Sequence, residues 1–154
     1  MKKSAIKSSD GKYRYCLKRE WDRKLQTIVF IGLNPSLADA VNNDATICRC
    51  IKFAQRWGYG SLVMLNLFAY ITVDPRVLFK VSNPIGEDND KWLKKYRYYF
   101  AIACWGNHGH YYWRNVIVTR FFDRLYCLGK TKMGQPKHPL YQPANLTPVI
   151  YREE

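Results

Sequence analysis

The sequence predicts an α/β fold, a three-layer α/β/α sandwich built on a four-stranded, mainly parallel sheet. Short apolar runs alternate along the chain with stretches whose apolar residues have helical spacing, an order typical of parallel sheets with right-handed crossovers. The apolar runs are nearly continuous, as in strands that are buried on both faces. With 154 residues the chain is long enough for one core. We therefore expect a single domain over residues 13–154.

The N-terminal residues differ from this pattern. Residues 1–12 are rich in lysine and lack the apolar core and the cleavage site of a secretory signal, so we expect a basic, flexible leader. The next segment, YRYCLKREW at 13–21, fits an additional strand at the edge of the sheet. Its basic side chains would discourage pairing with other chains.

The remaining elements follow in regular alternation. Buried strands are expected at residues 27–33, 62–70, 100–106 and 124–129. The first helix is expected to begin at Asp44, a good capping residue, and to end near Gly58. Other helices are expected at residues 74–80, from about residue 87, and at 111–122.

Positive charge is concentrated towards the two ends of the chain. The net charge is +6 over residues 1–26, −1 over 27–90 and +8 over 91–154, which together give +13. Two basic ends that fold onto one surface would bind a polyanion, so DNA, single- or double-stranded, is the expected partner. The alternative is a basic protein whose lysines are only solvated. No obligate protein partner is indicated.

Membrane, metal and cofactor functions are not indicated. No segment has the roughly 20 apolar residues of a membrane span, and the odd number of cysteines, five, fits reduced thiols in the cytoplasm. Cys48 and Cys50 do not have a standard zinc spacing, and His108 and His110 have no suitable third ligand. We therefore expect no metal and no other cofactor.

Polar residues interrupt the buried pattern at the carboxyl ends of the expected strands, where open parallel sheets bind their ligands. Pro35 pushes the residue before it towards extended geometry, which gives the amide of Asn34 a defined direction. The polar segments are Asn34 to Ser36, Asn66 to Tyr70, Trp105 to His108 and Lys130 to His138. We expect them to form one ligand site.

Four segments, in this order, resemble motifs of the uracil-DNA glycosylase superfamily. They are GLNPS at 32–36, LNLFAY at 65–70, CWGNHG at 104–109 and KHPLY at 137–141. They are more similar still to an uncharacterised bacterial and phage family, a domain of unknown function that shares that fold. The resemblance covers about residues 27–141. It implies a monofunctional DNA glycosylase, which hydrolyses the N-glycosidic bond of a base in DNA and leaves an abasic site.

The resemblance also implies the roles of three residues. Asn34 matches the position that orients the attacking water, and His138 matches the histidine that bonds the base carbonyl as negative charge develops there. Asn66 matches the amide that reads the Watson–Crick edge of the extruded base. Because Asn34 cannot accept a proton, departure of the base would carry most of the reaction. Asp39 and Asp44 fit either a nearby carboxylate or, as we favour, a turn and a helix cap.

The base pocket implied by the resemblance has its own features. Ser36 replaces a tyrosine that excludes the 5-methyl group of thymine in the uracil-specific branch, so a modified or mismatched, 5-substituted pyrimidine is the expected substrate. Such bases suggest a role in defence against phage DNA. Phe68, Tyr70 and Trp105 are candidates to stack on the base, although aromatic residues at strand ends also belong to cores.

Contacts with DNA are expected from the last third of the chain. Lys130, Lys132 and Lys137 lie in or beside the final motif, and Tyr141 follows it where a phosphate-binding serine is common. Tyr141 would instead wedge into the base stack. Arg114 lies on a basic, aromatic segment that either contacts DNA or covers the sheet.

Two other functions remain open from the sequence. The first is a catalytically silent nucleic-acid-binding module, for which DNA affinity would be salt-sensitive and independent of Asn34. The second is an enzyme that acts on free nucleosides or nucleotides, for which the positive charge is excessive. Release of a base from a mononucleotide would favour the second alternative.

Overall fold

A seven-stranded mixed sheet forms the centre of the protein. The computed structural model describes residues 1–153. Its strands are β1 (Lys2–Lys7), β2 (Arg14–Glu20), β3 (Thr27–Gly32), β4 (Ser61–Asn66), β5 (Phe100–Ala103), β6 (Arg124–Cys127) and β7 (Val149–Glu153), in the spatial order β1-β2-β4-β3-β5-β6-β7. The pairs β3–β4, β3–β5 and β5–β6 are parallel, and the pairs β1–β2, β2–β4 and β6–β7 are antiparallel.

The predicted three-layer sandwich on a four-stranded, mainly parallel sheet is wrong. The sheet has seven strands, and antiparallel pairs lie on both sides of its centre. Strand β1 lies in the segment expected to be a flexible leader, and β2 is therefore an inner strand that pairs with both β1 and β4. The side chains of β1 are mostly exposed, so this edge strand has no apolar run that would reveal it.

The helices are few and short. They are α1 (Ala45–Arg56), α2 (Asn89–Lys95) and α3 (Arg114–Thr119), with 3₁₀ helices at Pro75–Phe79 and Asn107–Trp113. The helix expected at 111–122 begins only at Arg114, because Tyr112 and Trp113 have positive φ angles of 52° and 58°. None of the helices within residues 1–153 combines the length and the apolar character needed to cross a lipid bilayer.

Alternate residues of the central strands face two separate hydrophobic clusters. Ile28 and Phe30 of β3 pack in one cluster with Ile47 and Ile51 of α1. Val29 and Ile31 pack in the other cluster, which includes Leu93 of α2 and Val118 of α3. The two-residue period of a strand therefore buries both faces of β3, and the polar residues after its last buried position lie at the edge of the sheet.

Candidate functional site

The carboxyl ends of β3, β4 and β5 open onto one cavity of about 400 Å³. These ends lie at the same edge because the three strands are parallel neighbours. The lining comes from the loop after β3 (32–36), the end of β4 (64 and 66), the loop after β5 (104–108) and residues 138–140. The remaining lining residues are Asp44, Thr46 and Ile47 at the N-terminus of α1, Thr72, Val73 and Pro75 in the segment after β4, and Arg14 of β2. Asn34, Asn66 and His138 thus line a single cavity.

The amide of Asn34 has a fixed orientation. Its nitrogen donates hydrogen bonds to the backbone carbonyl oxygens of Pro35 (2.9 Å) and Thr72 (2.8 Å). Both amide hydrogens are thereby used, since an asparagine amide has two. The side-chain oxygen of Asn34 has no hydrogen-bond donor within residues 1–153 and is the atom available to accept one from a ligand or a water.

Asn66 is almost fully buried, with 3% of its surface exposed. Its side-chain nitrogen is buried and has no hydrogen-bond partner within the described chain. Its backbone is held firmly, because Asn89 donates from its side chain to the carbonyl oxygens of Asn66 (2.9 Å) and Leu67 (3.1 Å). A buried donor without a partner costs free energy, so the amide of Asn66 is a group that a ligand with an acceptor atom would satisfy.

The tautomer of His138 follows from one hydrogen bond. The backbone N–H of Leu140 donates to Nδ1 of His138 at 3.2 Å, which requires a lone pair on Nδ1 and places the proton of the neutral ring on Nε2. Surrounding protein atoms desolvate the ring and lower the pKa of His138, while the charge of Asp44 acts in the opposite direction. The neutral form with a donor at Nε2 is therefore the form at neutral pH.

Trp105 forms a buried wall of the cavity. Its indole N–H donates to the side-chain oxygen of Gln135 at 2.8 Å. A β-carbon on Gly109 would stand 2.0 Å from the indole, so glycine is required there. Ser36 and Cys104 also line the cavity, and burial raises the pKa of Cys104 to about 12, which argues against a thiolate nucleophile at neutral pH.

The structure does not bring two of the predicted base-binding residues to the cavity. Phe68 is fully buried in a hydrophobic cluster, and its ring forms a T-shaped pair with Tyr112. Tyr70 is half-buried, and its ring packs against Tyr13. Neither residue belongs to the cavity lining, because the chain after Asn66 turns away from the rim and continues as part of the core.

The predicted DNA contacts divide into exposed and buried residues. Lys130 and Lys132 are exposed, Lys137 is half-buried, and Tyr141 is 97% exposed with a φ of 67°. Arg114, by contrast, is only 1% exposed and is paired with Asp90 at 2.6 Å. The assignment of Arg114 to DNA binding is therefore corrected, because its guanidinium group lies inside the protein.

The two carboxylates near the site, Asp44 and Asp39, accept hydrogen bonds from backbone N–H groups. Asp44 accepts hydrogen bonds from the backbone N–H groups of Ile47 (2.9 Å) and Ala38 (3.3 Å), the first of which caps α1. Asp39 lies outside the cavity lining, and the N–H groups of Asn42 and Val41 lower its pKa to about 2. Within residues 1–153, no three His, Cys, Asp or Glu side chains come together as a metal site.

Among the lining residues in the described part of the chain that were not predicted from the sequence, Arg14 is the only one with a charged side chain. Arg14, at the start of β2, is 3% exposed and lines the cavity. The sequence suggested that basic residues of this strand protect an exposed edge. The sequence contains one signal, because Arg14 lies between two tyrosines. That signal can be interpreted only once β2 is known to be an inner strand of the sheet.

Comparison with known families matches residues 14–140 to the family described as "Protein of unknown function (DUF1643)". No curated protein and no solved structure matches the chain. The matched segment begins at Arg14 and ends at Leu140, both of which line the cavity, so it includes every segment of the lining. The resemblance to a family of unknown function is consistent with this match. The chain belongs to the DUF1643 family.

Proposed function

We propose that this protein is a monofunctional DNA glycosylase whose site is related to that of the uracil-DNA glycosylase superfamily. It would remove a modified or mismatched, 5-substituted pyrimidine from DNA and leave an abasic site. The observation that carries the proposal is that Asn34, Asn66 and His138, which match three functional positions of that superfamily, line the same cavity.

His138 would stabilise the departing base. When the bond between sugar C1′ and the base nitrogen breaks, its electron pair stays on the base and negative charge develops at the base carbonyl oxygens. The N–H at Nε2 of His138 is free to donate to such an oxygen, because Nδ1 already accepts from Leu140. Donors that are fixed before the reaction stabilise developing charge effectively.

Asn34 would orient the attacking water. Its side-chain oxygen can accept a hydrogen bond from a water, whose oxygen then forms the new bond to C1′. The proton that this water loses passes to the departing base anion, which leaves as the neutral base. Asn34 does not take up the proton, and Asp44 already accepts two backbone hydrogen bonds. The chemistry would therefore depend mainly on departure of the base, since no general base supplies the usual factor of about 10²–10⁴.

Asn66 and Ser36 would determine which base the cavity accepts. The side-chain nitrogen of Asn66 has no partner within residues 1–153, and a pyrimidine carbonyl oxygen would satisfy it. Ser36 lines the same cavity with a small side chain, which leaves room for a substituent at position 5. Modified pyrimidines of this kind would connect the activity with defence against phage DNA.

The base must leave the stack before it can enter the cavity. The net charge of +13 supports binding to the DNA backbone. Lys132 and the fully exposed Tyr141 lie within ten residues of His138 in the chain. They are the candidates to contact the backbone and to fill the gap left by the extruded nucleotide.

The test uses duplex and single-stranded oligonucleotides that contain uracil, mismatched thymine or a 5-modified pyrimidine, together with natural phage DNAs. The expected result is alkali-labile abasic sites without added metal, lost in Asn34→Ala and in His138→Ala. Thr46→Ala, which changes a side chain of the lining that has no assigned role, is the matched control.

If no substrate yields abasic sites while DNA binding is salt-sensitive and unchanged in Asn34→Ala, the protein is a silent binding module instead. Release of a base from free mononucleotides alone would point to a nucleotide enzyme.

A further inference from the structure

A buried arginine in the cavity has unused hydrogen-bonding capacity. Arg14 donates from Nη1 to the carbonyl oxygen of Ala38 at 2.8 Å. Its Nε is buried without a partner within residues 1–153. Within residues 1–153, Arg76 and Arg114 form ion pairs with carboxylates less than 4 Å away, whereas Arg14 forms no ion pair.

Arg19 shows what a structural arginine looks like on the same strand. It is fully buried, and its Nε donates to the side-chain oxygen of Asn43 at 2.7 Å. Its other nitrogens donate to the carbonyl oxygens of Ser4, Lys18, Asp39 and Asn42. Both arginines hold the loop that precedes α1, but only Arg14 lines the cavity and leaves donors unused.

The charge of Arg14 is poorly compensated. Burial lowers its pKa to about 10, although the charge of Asp44 raises it, so the group is a cation at neutral pH. Asp44 is not within ion-pair distance and accepts hydrogen bonds from the backbone of Ile47 and Ala38. The positive end of the α1 dipole also offsets part of the negative charge of Asp44, which leaves less of it to compensate Arg14. A buried cation without a close counter-charge is costly, and a ligand anion would remove that cost.

The second unused donor of the cavity belongs to Asn66. Asn66 lines the same cavity, and its buried side-chain nitrogen has no partner in the described chain. A ligand that fits both residues therefore presents at least two acceptor groups, one of them anionic. Arg14 favours a carboxylate or a phosphate, because its planar group can bind two oxygens of either at once.

We propose that Arg14 is the anion-binding residue of this cavity and that the ligand is a pyrimidine nucleotide unit with an anionic group directed at Arg14. The anion is either an acidic substituent at position 5 of the base or a phosphate of the same nucleotide. The identity of the ligand as a pyrimidine unit rests on the proposed function. The anion site itself rests on Arg14 and does not depend on base release.

The experiment measures binding by calorimetry with three probes: 2′-deoxyuridine, 5-carboxy-2′-deoxyuridine and 2′-deoxyuridine 5′-monophosphate. Wild type is expected to bind one anionic probe about tenfold or more tightly than 2′-deoxyuridine, as for a charge-assisted hydrogen bond. The probe with the advantage identifies the source of the anion. Arg14→Met should lose the advantage and keep its affinity for 2′-deoxyuridine, and Arg14→Lys should recover part of it.

Inorganic phosphate tests the anion site without any nucleoside. At equal ionic strength, phosphate should raise the midpoint of thermal unfolding above that in chloride for wild type and Arg19→Met, but not for Arg14→Met. In the absence of phosphate, Arg19→Met should lower the midpoint strongly, whereas Arg14→Met should not. Equal effects of phosphate on wild type and Arg14→Met, with no advantage of an anionic probe, would overturn the proposal. Anion binding without abasic sites would reject only the glycosylase.

Discussion

The side-chain oxygen of Asn66 lies 2.8 Å from the point at which a β-carbon on Gly32 would stand. Gly32 ends β3, Asn66 ends β4, and the two residues are register partners in the parallel pair. The missing side chain of Gly32 therefore provides the space for the amide of Asn66. The φ angle of Gly32 is not in the left-handed region, so this space is the reason for glycine at the position.

Gly32→Ala should displace the amide of Asn66 with little loss of stability. The atom in the way is the end of a side chain that can rotate, and the backbone angles of Gly32 suit alanine. We expect 2′-deoxyuridine binding and base release to fall about tenfold, the scale of one hydrogen bond, while the thermal midpoint changes little. Adding Gly32→Ala to Asn66→Ala should cause no further loss, and additive losses would show that the two residues act independently.

Lowering the pH should destabilise the protein through His138. Desolvation lowers the pKa of His138 in the folded state, whereas an unfolded histidine has a pKa of about 6.5. Between the lowered pKa and 6.5 the unfolded chain binds more protons, so the free energy of unfolding falls as the pH falls through this window and is unaffected above it.

His138→Asn should reduce this pH dependence, because asparagine does not titrate and its side-chain oxygen can still accept from the backbone N–H of Leu140. The measurement is the thermal midpoint of both proteins at pH 7.5 and pH 5. An NMR titration of the ring should give a pKa below 6.5. A pKa at or above 6.5 would contradict the desolvated site.

The cavity could be predicted better than the sheet that carries it. Asn34 comes just after β3 and Asn66 ends β4, and His138 lies in the polar segment after the last predicted strand. The position of polar residues at or after the ends of apolar strands is a local property of the sequence. The strands β1 and β7 could not be recognised in this way. The side chains of β1 are mostly exposed, and its position depends on backbone hydrogen bonds to β2, which leave no periodic pattern in the sequence.

Arg14 and Arg114 show the limit of reading charge from sequence. Both are basic residues beside aromatic ones, and both are buried, one against the cavity and the other against Asp90. Sequence composition assigns such residues to the surface because arginine is seldom buried without a partner. Only the contacts distinguish an arginine that holds the fold from one that faces a ligand.

Arg114→Met should lower the free energy of unfolding by about 1.5 to 3 kcal/mol, the range for hydrogen bonds to charged groups. The substitution removes the contacts of Arg114 with Asp90 and with the carbonyl oxygen of Leu67 (3.0 Å). Denaturant titration measures the loss. The salt dependence of DNA binding should not change, because the guanidinium group is inside the protein.

Lys132→Gln should leave the stability unchanged and alter the salt dependence of DNA binding, the reverse of what we expect for Arg114→Met. Its side chain is exposed, so stability should stay within about 0.5 kcal/mol of wild type. Loss of one phosphate contact should reduce the slope of log affinity against log salt by about 0.9 for duplex DNA. A change of slope in Arg114→Met but not in Lys132→Gln would reverse the assignment of the two residues.

Tyr141 combines full exposure with an unfavourable backbone. Its φ is 67° and 97% of its surface is exposed, so packing does little to offset the cost of about 1–2 kcal/mol that a left-handed conformation has for a residue with a β-carbon. Backbone strain of this kind concentrates at functional sites. An aromatic ring that enters the base stack would explain why tyrosine occupies the position.

Tyr141→Gly and Tyr141→Ala should separate the strain from the ring. Glycine relieves the strain and should raise the free energy of unfolding by up to about 1 kcal/mol, whereas alanine retains it. Both variants should lose duplex affinity by about tenfold, since one stacked base contributes roughly 1–3 kcal/mol. Affinity for single-stranded DNA, in which no gap has to be filled, should fall less.

The control is Tyr98→Ala, at the opposite edge of the sheet beside the start of β5, which removes a similarly exposed ring. This substitution should change neither the free energy of unfolding nor the affinity for duplex DNA. An equal loss of duplex affinity in Tyr98→Ala would mean that Tyr141 contributes only a general aromatic surface.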